Sequence, residues 1–266
     1  AVRSVLGEAR QAFIAVATQK GPHVTPELYA ASDGRIWFAS AAETLKVKVL
    51  DKRPWASMAV KAGNRAVVVS GEVERFDALD AADVARALRQ APRVAKALAG
   101  YGLRNASDLA GFVVDATRGR AGRPPKRRTL FALTPDRVAV IDGGRLVGAW
   151  GAWPGAATVD EQAPWDDDGI DAAVGWQAEA GPLALPARWE PETETASVPP
   201  ALVQLTGLSE SSPACLVADQ YGAPGPAAKS GVLLRGSGTR DEHRIRIDAE
   251  RVTAWDGIET STEPHR

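Results

Sequence analysis

Lys46, Lys48 and Lys52 follow a β-rich run that ends at Ser40, and Thr44 stands between the run and the lysines. Cations and neutral hydroxyl donors so close in sequence suit an anion, a phosphate above all. The segment 41–50 has the composition of a short helix. Its first turns would set the ammonium groups beside backbone N–H groups that a helix start leaves unpaired. The same lysines also fit an ordinary solvated helix face. Other chemistry is sparse. His23, His243 and His265 lie far apart, so no paired-His metal spacing exists, and His23 at a turn is the one candidate general base. Cys215 is the only cysteine, which excludes an intrachain disulfide and a CxxC redox pair. It lies in an apolar run and reads as a buried small hydrophobe. Asp166-Asp167-Asp168 could invite a divalent cation but lacks the spacing of a calcium loop. Arg118, Arg120, Arg123, Lys126, Arg127 and Arg128 could meet a phosphate or a nucleic acid. The run has no interleaved aromatics, so a solvated loop is the plainer reading.

The elements that must hold these residues come from 266 residues with 45% apolar and 24% charged content, ordinary for a globular chain. With 32 basic and 33 acidic residues the net charge is −1, which excludes a globally basic nucleic-acid binder. No run is long and apolar enough to span a membrane, no signal peptide opens the chain, and a reducing, cytoplasmic setting is expected. Short strands are expected at 12–18, 23–31, 35–40, 55–60, 66–75, 128–133 and 137–142, the last two around a Thr134-Pro135-Asp136 turn. Helices are expected at 1–10, 41–50, 77–100 with a break at Pro92, and 105–117. Alternating βα units and a GxGxxG turn are both missing, which disfavours a dinucleotide-binding fold.

Three matches occur in the same order in the two halves. Residues 136–143, Asp-Arg-Val-Ala-Val-Ile-Asp-Gly, resemble 250–257, Glu-Arg-Val-Thr-Ala-Trp-Asp-Gly. Residues 53–60 parallel 212–219, and 67–71 parallel 232–236. An internal duplication follows, with a fuller unit at 1–143, a connection at 144–185 and a reduced unit at 186–266. The connection is rich in Gly, Pro, Asp and Trp and is expected to carry little regular structure. The fold class expected is mainly β (α+β), an antiparallel split β-barrel in two tandem related units, with the helices mostly in the first.

The order from Gly34 is the most specific feature. Ile36-Trp37-Phe38-Ala39-Ser40 is followed by Leu45-Lys46-Val47-Lys48-Val49-Leu50, then Pro54 with a strand, then Val67-Val68-Val69-Ser70-Gly71. This resembles the pyridoxamine 5′-phosphate oxidase-like, FMN-binding split-barrel superfamily, well over residues 8–76 and weakly over 128–142. The resemblance implies a bacterial flavin- or deazaflavin-dependent oxidoreductase with a small-molecule substrate. FMN is the first cofactor it implies and the deazaflavin coenzyme the alternative. It assigns cofactor contacts to Ser40, Thr44, Lys46, Lys48 and Arg65. Leu45 stands where the oxidase branch carries an arginine, and Ala66-Val67-Val68 where it has Gln-Val-Arg, which argues against pyridoxamine phosphate itself as substrate. The other reading is a non-catalytic split-barrel binding or assembly protein with a decayed site. Cofactors in this superfamily lie between two barrels. The second unit is therefore expected to pack on the first as an intramolecular pseudo-dimer, with Trp55 or Trp255 near the contact and the Lys46 side left open; a homodimer through the first units is the alternative.

Overall fold

The computed structural model describes residues 1–77, 80–118, 127–155, 165, 169–221, 227, 229–257 and 259–264. Asp166–Asp168, Arg120, Arg123, Lys126 and His265 lie outside the described residues. The first half contains α1 (Val2–Glu8), β1 (Ala12–Thr18), β2 (Gly21–Glu27), β3 (Tyr29–Ser32), β4 (Arg35–Ala41), α2 (Leu45–Leu50), β5 (Trp55–Ala62) and β6 (Arg65–Phe76). Helices α3 (Ala81–Arg89), α4 (Ala91–Arg104) and α5 (Ala106–Thr117) follow, then β7 (Arg128–Asp142) and β8 (Arg145–Trp150). Pro92 falls in the first turn of α4, where its missing N–H costs nothing. The second half contains β9 (Ile170–Ala178), β10 (Gly181–Glu190), β11 (Thr195–Ser197), α6 (Pro200–Thr206), β12 (Ser211–Tyr221), β13 (Lys229–Asp241), β14 (Arg244–Asp256) and β15 (Glu259–Pro264).

All the pairings are antiparallel. The first sheet runs β2-β1-β5-β6-β7-β4-β3, with β8 beside β7. The second runs β11-β10-β9-β12-β13-β14-β15, and β11 also pairs with β14, closing six strands into a ring. The expected fold class, tandem antiparallel split-barrel units with most helices in the first, is what is found. Two expectations need correction. Strands β8, β9 and β10 occupy much of 144–185, and β9 and β10 belong to the second sheet. Thr134-Pro135-Asp136 is not a turn: β7 runs through it as one strand with a β-bulge opposite Ser70/Gly71. The extra residue is Asp136, between Pro135 opposite Gly71 and Arg137 opposite Ser70, and it bends the strand without reversing it.

The duplication is legible in these pairings. The order β1-β5-β6-β7 recurs as β9-β12-β13-β14. The bulge recurs too, at Arg235/Gly236 against Glu250. A Cβ on Gly71 would lie 2.0 Å from the Thr134 carbonyl oxygen, and one on Gly236 would lie 1.9 Å from that of Asp248. Only glycine lets the partner backbone come so close. With these glycines superposed, two of the sequence matches are in register. The third is off by one: Trp55 pairs with Glu72 as Pro213 pairs with Ser237, so Trp55 corresponds to Pro213. The β1–β2 hairpin, Thr18 to Gly21-Pro22, corresponds to Ala178 to Gly181-Pro182.

The two units share a core. Strands β1 and β6 are apolar on both faces. Ala12, Ile14, Val16, Val67 and Val69 fill the first barrel, whereas Ala66 and Val68 join the core of the second. Phe13, Ala15, Val24 and Ala59 pack with Ala173, Ala184, Cys215, Val217 and Leu233 in the seam. The period-two alternation of a strand explains why these segments read as continuous apolar runs: each face meets a different core. Contacts across the seam are reciprocal. β5 packs on β10 as β12 packs on β2, and β1 meets β10 as β9 meets β2. The tips obey the same exchange: Gly181 abuts Trp55, and Gly21 abuts Pro213. This is the pattern of a twofold interface held within one chain. Trp255 also packs against the seam core. Helices α3 and α4 cover the other face of the first sheet through Trp37, Phe76, Ala97 and Ala132, with the Trp37 and Phe76 rings 5.5 Å apart. Among the described residues no helix is long and apolar enough to cross a membrane.

Candidate functional site

Strand β2 ends at Glu27, β4 carries Ser40, and α2 carries Lys46; these elements meet where β2, an edge of the first sheet, passes β4 without pairing with it. Lys46 is only 3% exposed. Its ammonium is ion-paired with Glu27, and Ser40 Oγ donates to the same Glu27 Oε1 at 2.8 Å. Burial pulls the Lys46 pKa down, and the Glu27 carboxylate acts against that shift. So the structure brings Ser40 and Lys46 together, but on a carboxylate. The other expected contacts are elsewhere. Thr44 Oγ1 donates to the Ala41 carbonyl at 2.8 Å, and Lys48 is exposed. Arg65 Nη1 donates to Ser4 Oγ at 3.0 Å, and its Nη2 pairs with Glu8, which ties α1 to the start of β6. The Lys46 side is not an open cleft; what opens to solvent is the pocket in front of Glu27.

That pocket has a volume of about 290 Å³ and lies on the seam. The first unit supplies Gln11, Pro26, Glu27, Leu28, Tyr101 of α4 and Arg128 of β7. The second supplies Asp219, Lys229, Trp255 and Gly257. Trp255 Nε1 donates to Asp219 Oδ1 at 3.1 Å, which fixes the indole in the wall. Burial raises the Asp219 pKa, against hydrogen bonds from Gln11 and Trp255. Burial likewise pushes the Tyr101 hydroxyl up to about 12, so it stays a neutral donor. Deeper along β2, His23 is held down to about 3, first by burial and then by Arg235 and Lys46. It is thus neutral near pH 7, but it does not line this pocket. Cys215 is fully buried in the seam core with its thiol pushed up to about 12, an inert packing residue.

A twofold relation implies a second pocket of this kind, and the structure shows what has become of it. Gln11, Leu28, Asp219 and Gly257 correspond to Asp171, Arg188, Lys61 and Gly143. Asp171 Oδ1 bridges Lys61 at 2.6 Å and Arg188 at 2.8 Å. Trp165, from the connecting segment, lies over them, with the Lys61 ammonium 4.6 Å from its ring centroid and its Nε1 donating to the Ser197 carbonyl at 3.3 Å. Gly144 makes room for it, since a Cβ there would lie 2.4 Å from the Trp165 nitrogen. Trp165 is 7% exposed. One seam pocket is open and its mirror is filled.

A larger cleft, about 610 Å³, opens between β6 and α3. Apart from Glu72, its charged side chains pair with one another. Arg35 pairs with Glu74 at 2.7 Å, Arg75 with Asp51 at 2.8 Å and Asp83 at 2.7 Å, and Arg86 also with Asp83. That network anchors α3. Among the described residues no group of three or more His, Cys, Asp or Glu is placed to hold a metal ion.

Sequence reasoning missed Glu27, Tyr101, Asp219 and Lys229. An acid at the end of a strand reads as solvated, and nothing local shows that α2 will bury a lysine against it. Asp219 and Lys229 became visible only with the seam, although Trp255 was expected at the contact.

No curated protein matches the chain. Solved structures resemble parts of it at low identity. A conserved hypothetical protein, Rv2991, from Mycobacterium tuberculosis is 19% identical over 53% of this chain and 82% of its own, with a TM-score of 0.37. A pyridoxamine 5′-phosphate oxidase-related, FMN binding protein from Nostoc punctiforme is 15% identical over 53% of this chain and 81% of its own, with a TM-score of 0.38. An F420 reductase is 16% identical over 52% of this chain and 94% of its own, with a TM-score of 0.34. Residues 1–142 match the family described as Pyridoxamine 5′-phosphate oxidase, which spans the first unit through the end of β7. The chain belongs to the pyridoxamine 5′-phosphate oxidase family.

Proposed function

We propose that the chain binds one flavin-type cofactor in the open seam pocket and acts as an oxidoreductase on a small molecule. The observation that carries this reading is the pocket itself, walled by both units beside the buried Lys46. The ring part of such a cofactor fits: Trp255, Tyr101, Pro26 and Leu28 offer flat and apolar surface, and the Tyr101 hydroxyl, Arg128 and Lys229 offer donors to ring oxygens and nitrogens. The phosphate part does not fit, because Glu27 already takes both Lys46 and Ser40. A bound flavin supplies the hydride chemistry, and the chain's part is to position and tune the ring. The protein division that goes with this reading is a first unit to about residue 150 and a second from about 170, with Trp165 between them as a plug.

The Glu27–Lys46 pair favours a second reading, a non-catalytic binding or assembly protein whose cofactor site has decayed. Visible absorbance separates the two. The purified chain, alone and titrated with riboflavin, FMN and a deazaflavin, is expected to bind a flavin-type ring at micromolar concentration and to saturate at one per chain. Failure of all three to bind leaves the non-catalytic reading, and saturation at two per chain contradicts the plugged mirror site.

A further inference from the structure

We propose that the Glu27 carboxylate occupies the place where a cofactor phosphate would meet Lys46, so that the seam pocket takes a ring ligand with an uncharged side chain, riboflavin rather than FMN. The proposal rests on the flavin reading above and narrows it.

The two donors that the family resemblance assigns to a phosphate both point at one carboxylate oxygen. Lys46 is ion-paired with Glu27, and Ser40 Oγ donates to Glu27 Oε1 at 2.8 Å. Lys46 is itself sealed from the pocket, at 3% side-chain exposure, while the Glu27 side chain is 19% exposed and lines it. An incoming ligand therefore meets the acid and not the base. A phosphate dianion there faces a like charge, with the compensating ammonium already paired behind it. A polyol tail meets no such penalty, because its hydroxyls can donate to the same carboxylate.

The second unit gives an independent check. Glu27 corresponds to Ala187, and the helix that stands in the place of α2, α6, contains no lysine. Acid and base occur together in one unit and are missing together from the other. That is the pattern of a mutual pair, in which neither partner is tolerated buried alone. Arg128 and Lys229 line the same pocket with Asp219, so it is the place of Glu27 between the pocket and Lys46, and not the charge of the walls, that disfavours a phosphate at that point.

The test is a calorimetric titration of the full chain with riboflavin and with FMN, repeated with inorganic phosphate present, for the wild type and for Glu27→Gln. Riboflavin is expected to bind the wild type about tenfold or more tightly than FMN, with phosphate failing to displace it. In Glu27→Gln the preference is expected to vanish or reverse, and phosphate is expected to compete with FMN. The wild-type ratio decides without any variant, should Glu27→Gln fold poorly. FMN binding the wild type as tightly as riboflavin, or more so, overturns this inference and leaves the flavin reading intact. Neither ligand binding wild type or variant overturns both.

Discussion

Replacing Lys46 by methionine is expected to destabilise the folded chain by about 3–5 kcal/mol, the usual cost of stranding one partner of a buried ion pair. Glu27 would keep its Ser40 hydrogen bond but lose the Lys46 ammonium buried behind it. The companion change is informative. Glu27→Leu together with Lys46→Met is expected to recover most of the loss, because an apolar pair of similar volume avoids desolvating two charges. Urea midpoints of the wild type, both single variants and the double variant complete the cycle. Additive losses in the double variant would show that the two side chains do not act as a pair. Charge reversal at Lys46 sets two carboxylates together and is expected to read as unfolding, so it is a poor probe of ligand binding.

The second large effect is acid sensitivity through His23. Its pKa falls from 6.5 to about 3 in the folded chain, because the ring is buried and Arg235 and Lys46 repel a proton. Its Nδ1 has no hydrogen-bond partner among the described residues, so no acceptor there holds the charged form. The sign follows from linkage. Between those two pKa values the unfolded chain binds a proton that the folded chain refuses, so stability falls as pH falls. The slope reaches about 1.4 kcal/mol per pH unit, and the full contribution is about 5 kcal/mol. It is intact above the unfolded-state pKa and is lost progressively toward the folded one. His23→Gln is expected to flatten the dependence of the urea midpoint on pH between about 6.5 and 4. A variant with the wild-type slope would assign the acid sensitivity to other groups.

The fold was legible where pattern is local. Ala12–Thr18, Arg35–Ala41 and Trp55–Ala62 announce themselves by β-branched and aromatic runs closed by Gly, Pro or Asp-Gly. The repeat was legible because both copies keep the glycine that a bulge requires. It was misread by one residue at β5 because Pro54 and Pro213 look equivalent, whereas the ladder pairs Pro213 with Trp55's position. The strands at 170–190 were hidden by composition. Gly, Ala and Pro there resemble a linker, yet Gly181-Pro182 opens β10 as Gly21-Pro22 opens β2. The candidate site was half legible. Lys46 and Ser40 could be named from a motif, but their partner is set by how β2 passes α2, a contact between residues 19 apart. Arg65 failed for the same reason in reverse: the sheet carries it to α1, and Glu8 takes it.

The most direct test of the seam as the functional site is a crystal structure of the whole chain grown with riboflavin. The account predicts one ring per chain, stacked in the pocket bounded by Trp255 and Tyr101 with its side chain toward Glu27, and Trp165 still seated over Lys61. A ring in the outer cleft between β6 and α3, a ring in place of Trp165, or a seam left without ligand at saturating riboflavin would contradict it.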